Sequence, residues 1–105
     1  MRLRVHREAN GELMEALGWL VRRKRYEVAR RLNQLWLAGL DAILDRPITY
    51  PMVEDPAREM VHRNYLIRRY GYRIIYEVCD DEIHVLAFAR GRRNSGHWHD
   101  RVTNP

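Results

Sequence analysis

With a single cysteine, Cys79, in 105 residues, the chain can form no internal disulfide and no cysteine-rich zinc site. Cys79 reads as a small residue at a strand end. No apolar stretch approaches the ~20 residues of a membrane-spanning helix. The opening Met-Arg-Leu-Arg-Val-His has no apolar segment behind it, so no signal peptide is read and a cytoplasmic protein is expected. Acidic residues are the minority, fourteen against nineteen basic, for a net charge of +5. That balance favours a polyanion or an acidic partner. A metal-dependent nuclease needs clustered acidic ligands. The cluster at hand, Asp80-Asp81-Glu82, has the composition of a hairpin turn. His97 and His99 stand two apart with no third ligand apparent. No metal and no cofactor is expected, and internal repeats and low-complexity segments are absent.

What is present suits one folded domain over residues 1–105. Hydrophobic residues make up 46% and charged residues 31%, enough apolar side chain for one modest core. Arg2 to Val5 reads as a short strand with Leu3 and Val5 on one face. Leu13, Leu17, Leu20 and Val21 recur at helical spacing and predict a helix over Glu12 to Lys24. Asn10 is a candidate N-cap; a start two or three residues earlier is equally allowed. Arg22-Arg23-Lys24-Arg25 reads as a solvated joint that suits the helix C-terminal dipole, with a polyanion contact as the alternative. Leu32, Leu35, Trp36, Gly39, Leu40 and Ile43 predict a second helix over Tyr26 to Leu44. Gly39 would let another backbone approach. The short joint predicts an antiparallel helical hairpin. Pro47, Pro51 and Pro56 predict a loop with no regular element over Asp45 to Pro56.

From Arg58 the period changes to two. Val61, Arg63, Tyr65 and Ile67 form one strand face. After a turn at Arg68-Arg69-Tyr70-Gly71, Tyr72, Ile74, Tyr76 and Val78 alternate with Arg73, Ile75 and Glu77, and the Tyr72 side is expected to face the core. After Cys79-Asp80-Asp81-Glu82, Ile83, Val85, Ala87 and Ala89 alternate with His84, Leu86 and Phe88. Short connections make this an antiparallel meander. The expected fold is α+β: four strands, largely antiparallel, with the helical hairpin on one face. Leu17, Leu20, Leu32, Trp36, Leu40, Ile43, Ile74, Tyr76 and Val85 are expected in the core.

Gly71-Tyr72-Arg73-Ile74-Ile75-Tyr76-Glu77-Val78, the acidic turn, an apolar strand, Gly91-Arg92-Arg93 and Trp98 resemble the RelE/ParE toxin superfamily. The order of elements agrees over nearly the whole chain. The resemblance implies the toxin of a type II toxin–antitoxin system, silenced by a cognate antitoxin with an acidic segment and oligomeric only through that complex. RelE-like members cut messenger RNA on the ribosome without a metal; ParE-like members poison DNA gyrase. Cleavage of that kind needs a base, an acid and fixed cations on the phosphorane. Arg73 and Arg93 match arginines of RelE-like nucleases, and His99 falls where that branch places a tyrosine or histidine, so these three would be the catalytic set. Asn64 and Leu66 stand where those nucleases carry lysines or a glutamate. The ending Arg-Arg-Asn-Ser-Gly-His-Trp resembles the ParE-like branch, which implies gyrase as target. Arg68, Arg69, Arg90, Arg92, Arg93 and Trp98 would then contact the target. Arg73 also reads as a solvent-facing strand residue, Arg90, Arg92 and Arg93 as charges keeping a sheet edge soluble, and Trp98 as an anchor for the tail.

Overall fold

Arg2–Val5 form strand β1, and His6 turns the chain into helix α1, Arg7–Arg22. The His6 Nδ1 accepts a hydrogen bond from the Glu8 N–H at 3.1 Å. An imidazole therefore supplies the N-cap in place of the candidate Asn10, which lies inside the helix. The computed structural model describes residues 1–53, 62–91 and 101. Helix α2 spans Tyr26–Asp45. The joint is Arg23-Lys24-Arg25, where Lys24 takes a left-handed φ of 58° and the backbone N–H of Arg25 returns to Leu20 O. The basic run is thus a helix stop and restart, as its composition suggests.

Strands β2 (Met52–Val53), β3 (His62–Ile67), β4 (Tyr72–Cys79) and β5 (Glu82–Arg90) complete a five-stranded sheet of order β1-β5-β4-β3-β2. The meander is antiparallel as expected, and β1 joins β5 in parallel. Strand β2 corrects the expectation that the proline loop holds no regular element. Pro51 lacks a donor but its carbonyl accepts from Asn64 N–H at 2.9 Å, and an edge strand tolerates the missing N–H. Two residues are too few to leave a periodic trace in sequence. The part of β3 expected over 58–61 lies outside the described residues.

The helices cover one face of the sheet. Leu13, Leu20, Leu32, Trp36 and Ile43 meet Ile67, Ile74, Tyr76, Ile83, Val85 and Phe88 there. Leu17 and Leu40, expected in the core, are only half-buried at its margin. Gly39 does admit a close neighbour, but the neighbours are side chains: an added Cβ would stand 2.8 Å from Ile74 Cδ1 and 3.0 Å from the Tyr65 ring.

Strand β5 departs from strict alternation. Ile75 pairs with Ala87 but Tyr76 pairs with Val85, so Leu86 is an extra residue in the ladder. This bulge reverses which side chains face the helices. Phe88 enters the main core, edge-on to Trp36 at 5.2 Å. Leu86, Ala87 and Ala89 join Ile75 in a second cluster on the opposite face. The expected grouping of Ala87 and Ala89 with Val85 is therefore wrong. The bulge is held by side chains from afar: Glu12 Oε1 accepts from the Phe88 N–H at 3.1 Å, and Arg101 Nη1 donates to Leu86 O at 2.8 Å and to Glu12 Oε1 at 2.7 Å.

Candidate functional site

The arginines of the sheet end are pinned by two turns. Gly71 and Gly91 both adopt positive φ, 71° and 68°, and the Gly91 N–H donates to Gly71 O at 2.7 Å. This closes the β3–β4 turn onto the end of β5, where Tyr72 pairs with Arg90. Arg68 and Arg69, adjacent in that turn, diverge: Arg69 lines a cavity on the helix side of the sheet, Arg68 a cleft on the far side.

The helix-side cavity, of about 330 Å³, has an apolar floor that includes Val28, Leu32, Tyr70 and Tyr72. Arg25, Arg69 and Arg90 give it three cations. Tyr72 is held flat against Phe88, centroids 4.4 Å apart, and the Arg90 guanidinium lies 5.9 Å over the Tyr72 ring. Trp19, 42% exposed, forms one wall, with the Arg23 guanidinium 4.3 Å over its ring. An apolar trough with guanidinium groups along it suits an amphipathic segment with acidic side chains.

Arg73 alternates away from the helix-side core and is half-buried. It stands on the opposite sheet face, with Nε and Nη2 buried and without hydrogen-bond acceptors. The cleft beside it, about 380 Å³, is lined also by Tyr50, Asn64, Leu66 and Arg68. Leu66 pairs with Arg73 across the ladder, and Asn64 stands two residues back on the same face of β3. Among the described lining residues there is no carboxylate, histidine or lysine.

Residues 3–95 match the family model of the ParE toxin of type II toxin–antitoxin systems, parDE. The chain belongs to the ParE toxin family. No curated protein matches it significantly.

For a ParE-family toxin, then, the sheet end offers two separate faces. Arg25, Arg69 and Arg90 belong to one, and Arg68 and Arg73 to the other. Arg92, Arg93, Trp98 and His99 lie outside the described residues, so the catalytic set Arg73, Arg93 and His99 is located only at Arg73. No helix among the described residues is long and apolar enough to cross a membrane.

Sequence reasoning missed a polar row across the far face. His62, Glu77 and His84 are cross-strand partners on β3, β4 and β5, with His62 and Glu77 at 0% and 1% exposure. The signal was present: Glu77 and His84 stand symmetrically about the Asp80-Asp81 turn, which makes them neighbours in any tight hairpin. Burial, then the neighbouring carboxylates led by Glu77, push the Cys79 thiol up to about 11. Burial also pushes the Tyr76 hydroxyl up to about 12; it donates to Pro47 O at 2.6 Å and anchors the proline loop to the core.

Proposed function

We propose that this ParE-family toxin poisons DNA gyrase in the cytoplasm and is neutralised by a cognate antitoxin whose acidic segment fills the helix-side trough. The observation that carries the gyrase reading is the cleft beside Arg73. Phosphodiester cleavage through the 2′-hydroxyl needs a proton acceptor within hydrogen-bond reach; at Asn64 and Leu66 the cleft supplies an amide and a leucine, and its described lining, which also includes Tyr50 and Tyr65, holds no carboxylate, histidine or lysine. The deciding experiment measures supercoiling by purified gyrase and maps messenger 5′ ends after induction of the toxin alone. Loss of supercoiling with intact messenger is expected, and Arg73→Ala is expected to leave messenger as intact as the wild type does.

One observation favours a second reading, a RelE-like, metal-independent messenger endonuclease on the ribosome. The Arg73 guanidinium has two buried nitrogens without acceptors, and a phosphate would satisfy both. Ribosome-dependent cleavage by the wild type, abolished by Arg73→Ala, would establish that reading and overturn the first.

The antitoxin proposal rests on the trough's paired chemistry, aromatic floor and cationic rim. Reversing charge in the double variant Arg69→Glu/Arg90→Glu removes two attractions and adds two repulsions. Exposed pairs contribute about 0.2–1 kcal/mol each, so antitoxin binding is expected to weaken by roughly tenfold or more, with a shallower salt dependence. Calorimetric titration at two ionic strengths measures both. Unchanged affinity would place the antitoxin elsewhere.

A further inference from the structure

We propose that Glu77, Cys79 and His84 form a binding site for a zinc-class divalent metal ion on the sheet face remote from the helices. Their ligand atoms lie within 4.8 Å of one another. Cross-strand pairing sets two of them side by side, and Cys79 follows Glu77 on the same face of β4. A thiolate, an imidazole and a carboxylate are the donor set of borderline-soft ions such as Zn²⁺. Ligand atoms around a tetrahedral zinc stand roughly 3.2–3.6 Å apart, from bond lengths near 2.0–2.3 Å. Side-chain rotation covers the difference.

The surrounding geometry points the same way. His84 Nε2 lies 2.7 Å from Glu82 Oε2, and Arg2 and Arg4 flank that carboxylate. A carboxylate accepts hydrogen bonds, so Nε2 is the nitrogen that donates. A carboxylate on the distal nitrogen is the usual support of a metal-bound histidine. It leaves Nδ1 as the inward atom, 3.5 Å from Glu77 Oε1. Nδ1 and both Glu77 oxygens are buried with no hydrogen bond of ordinary geometry; Glu77 is 1% exposed, with the Cys79 thiol turned toward its carboxylate and His62 Nε2 3.9 Å from Oε2. Two lone-pair-bearing atoms facing each other in a buried place call for a cation between them. A proton on His84 answers that call in part. A metal ion answers it for all three groups and takes the place of the Cys79 thiol proton, which is released on binding. Solvent reaches the cluster past His84, whose side chain is 15% exposed, and past the half-buried Cys79.

The test uses untagged full-length toxin, freed of metal by a chelator and titrated with Co²⁺. One equivalent should bind, with tetrahedral ligand-field bands in the visible and a thiolate-to-cobalt charge-transfer band in the near ultraviolet, and Zn²⁺ should displace it. Cys79→Ser, near-isosteric and expected to fold, should abolish the charge-transfer band. It and His84→Ala should each weaken binding by at least about tenfold, the scale of lost ligand support. The double variant His97→Ala/His99→Ala should bind as the wild type. Absence of binding at several-fold excess of Co²⁺ would overturn the proposal and leave a proton as the only occupant. Binding that survives Cys79→Ser but disappears in the His97/His99 variant would overturn it equally.

Discussion

Replacing Ile74 by alanine is expected to destabilise the toxin by about 4 kcal/mol. Ile74 is 0% exposed and its Cδ1 occupies the hollow over Gly39, where α2 meets the sheet. Removing three carbons there loses their transfer energy and leaves a cavity, and such truncations cost roughly 2–5 kcal/mol. Helix α2 cannot settle into the gap without moving Tyr65, whose ring is set edge-on against Tyr50 at 5.0 Å. The control is Leu40→Ala, one helical residue further on. Leu40 is half-buried, so a loss of about 1–2 kcal/mol is expected, in proportion to the smaller area returned to water. Denaturant unfolding measures both. Gly39→Ala adds coupling: with Ile74 present the new Cβ meets Cδ1, and in the Ile74→Ala background it does not. A double-mutant cycle should show at least about 1 kcal/mol of non-additivity. Equal losses at Ile74 and Leu40 would contradict this core.

Glu12→Ala is the second large effect, about 2–3 kcal/mol. Its Oε1 accepts from both the Phe88 N–H and Arg101 Nη1. Without it the bulge keeps an unpaired amide, at about 1–3 kcal/mol, and Arg101 loses its shortest ion-pair partner. Breaking a fully buried pair costs roughly 3–5 kcal/mol. The Glu12 side chain retains 23% exposure and Arg101 also reaches Glu8 at 3.3 Å, so the lower figure applies. The melting temperature should fall by roughly 10–20 °C for a domain of this size. Glu12→Gln keeps an acceptor for Phe88 but no charge for Arg101, and about half the loss is expected. A change below about 0.5 kcal/mol in Glu12→Ala would show that the bulge is held by other means.

Both residues mark where sequence reading succeeds and where it stops. Ile74 was legible because its strand alternates apolar and polar side chains, and burial on one face enforces that period. The helices were legible for the same reason. Glu12 was not, because its partner Arg101 is 89 positions away and nothing local distinguishes it from the exposed acids of α1. The candidate site divides the same way. A cationic sheet end was evident from Arg68, Arg69, Arg73 and Arg90 in the sequence. Their distribution over two faces was not, since the turn that separates Arg68 from Arg69 depends on Gly71 bonding to Gly91.

The order and type of the long elements, the helical hairpin, the meander and the ParE-like family character were determined by the sequence alone. Period, turn residues and charge are local properties that survive without knowledge of neighbours. Tertiary structure decided the rest. It added β2, a pair of residues recognisable only by their bonds to β3. It placed the bulge at Leu86, which carried Phe88 into the core and Ala87 and Ala89 out of it. In Ala-Phe-Ala either parity is sterically acceptable, so the choice falls to what each face meets: Trp36 and Tyr72 on one side, Ile75 on the other. It also aligned His62, Glu77 and His84 in one row, buried at His62 and Glu77, because register, unlike periodicity, exists only between strands.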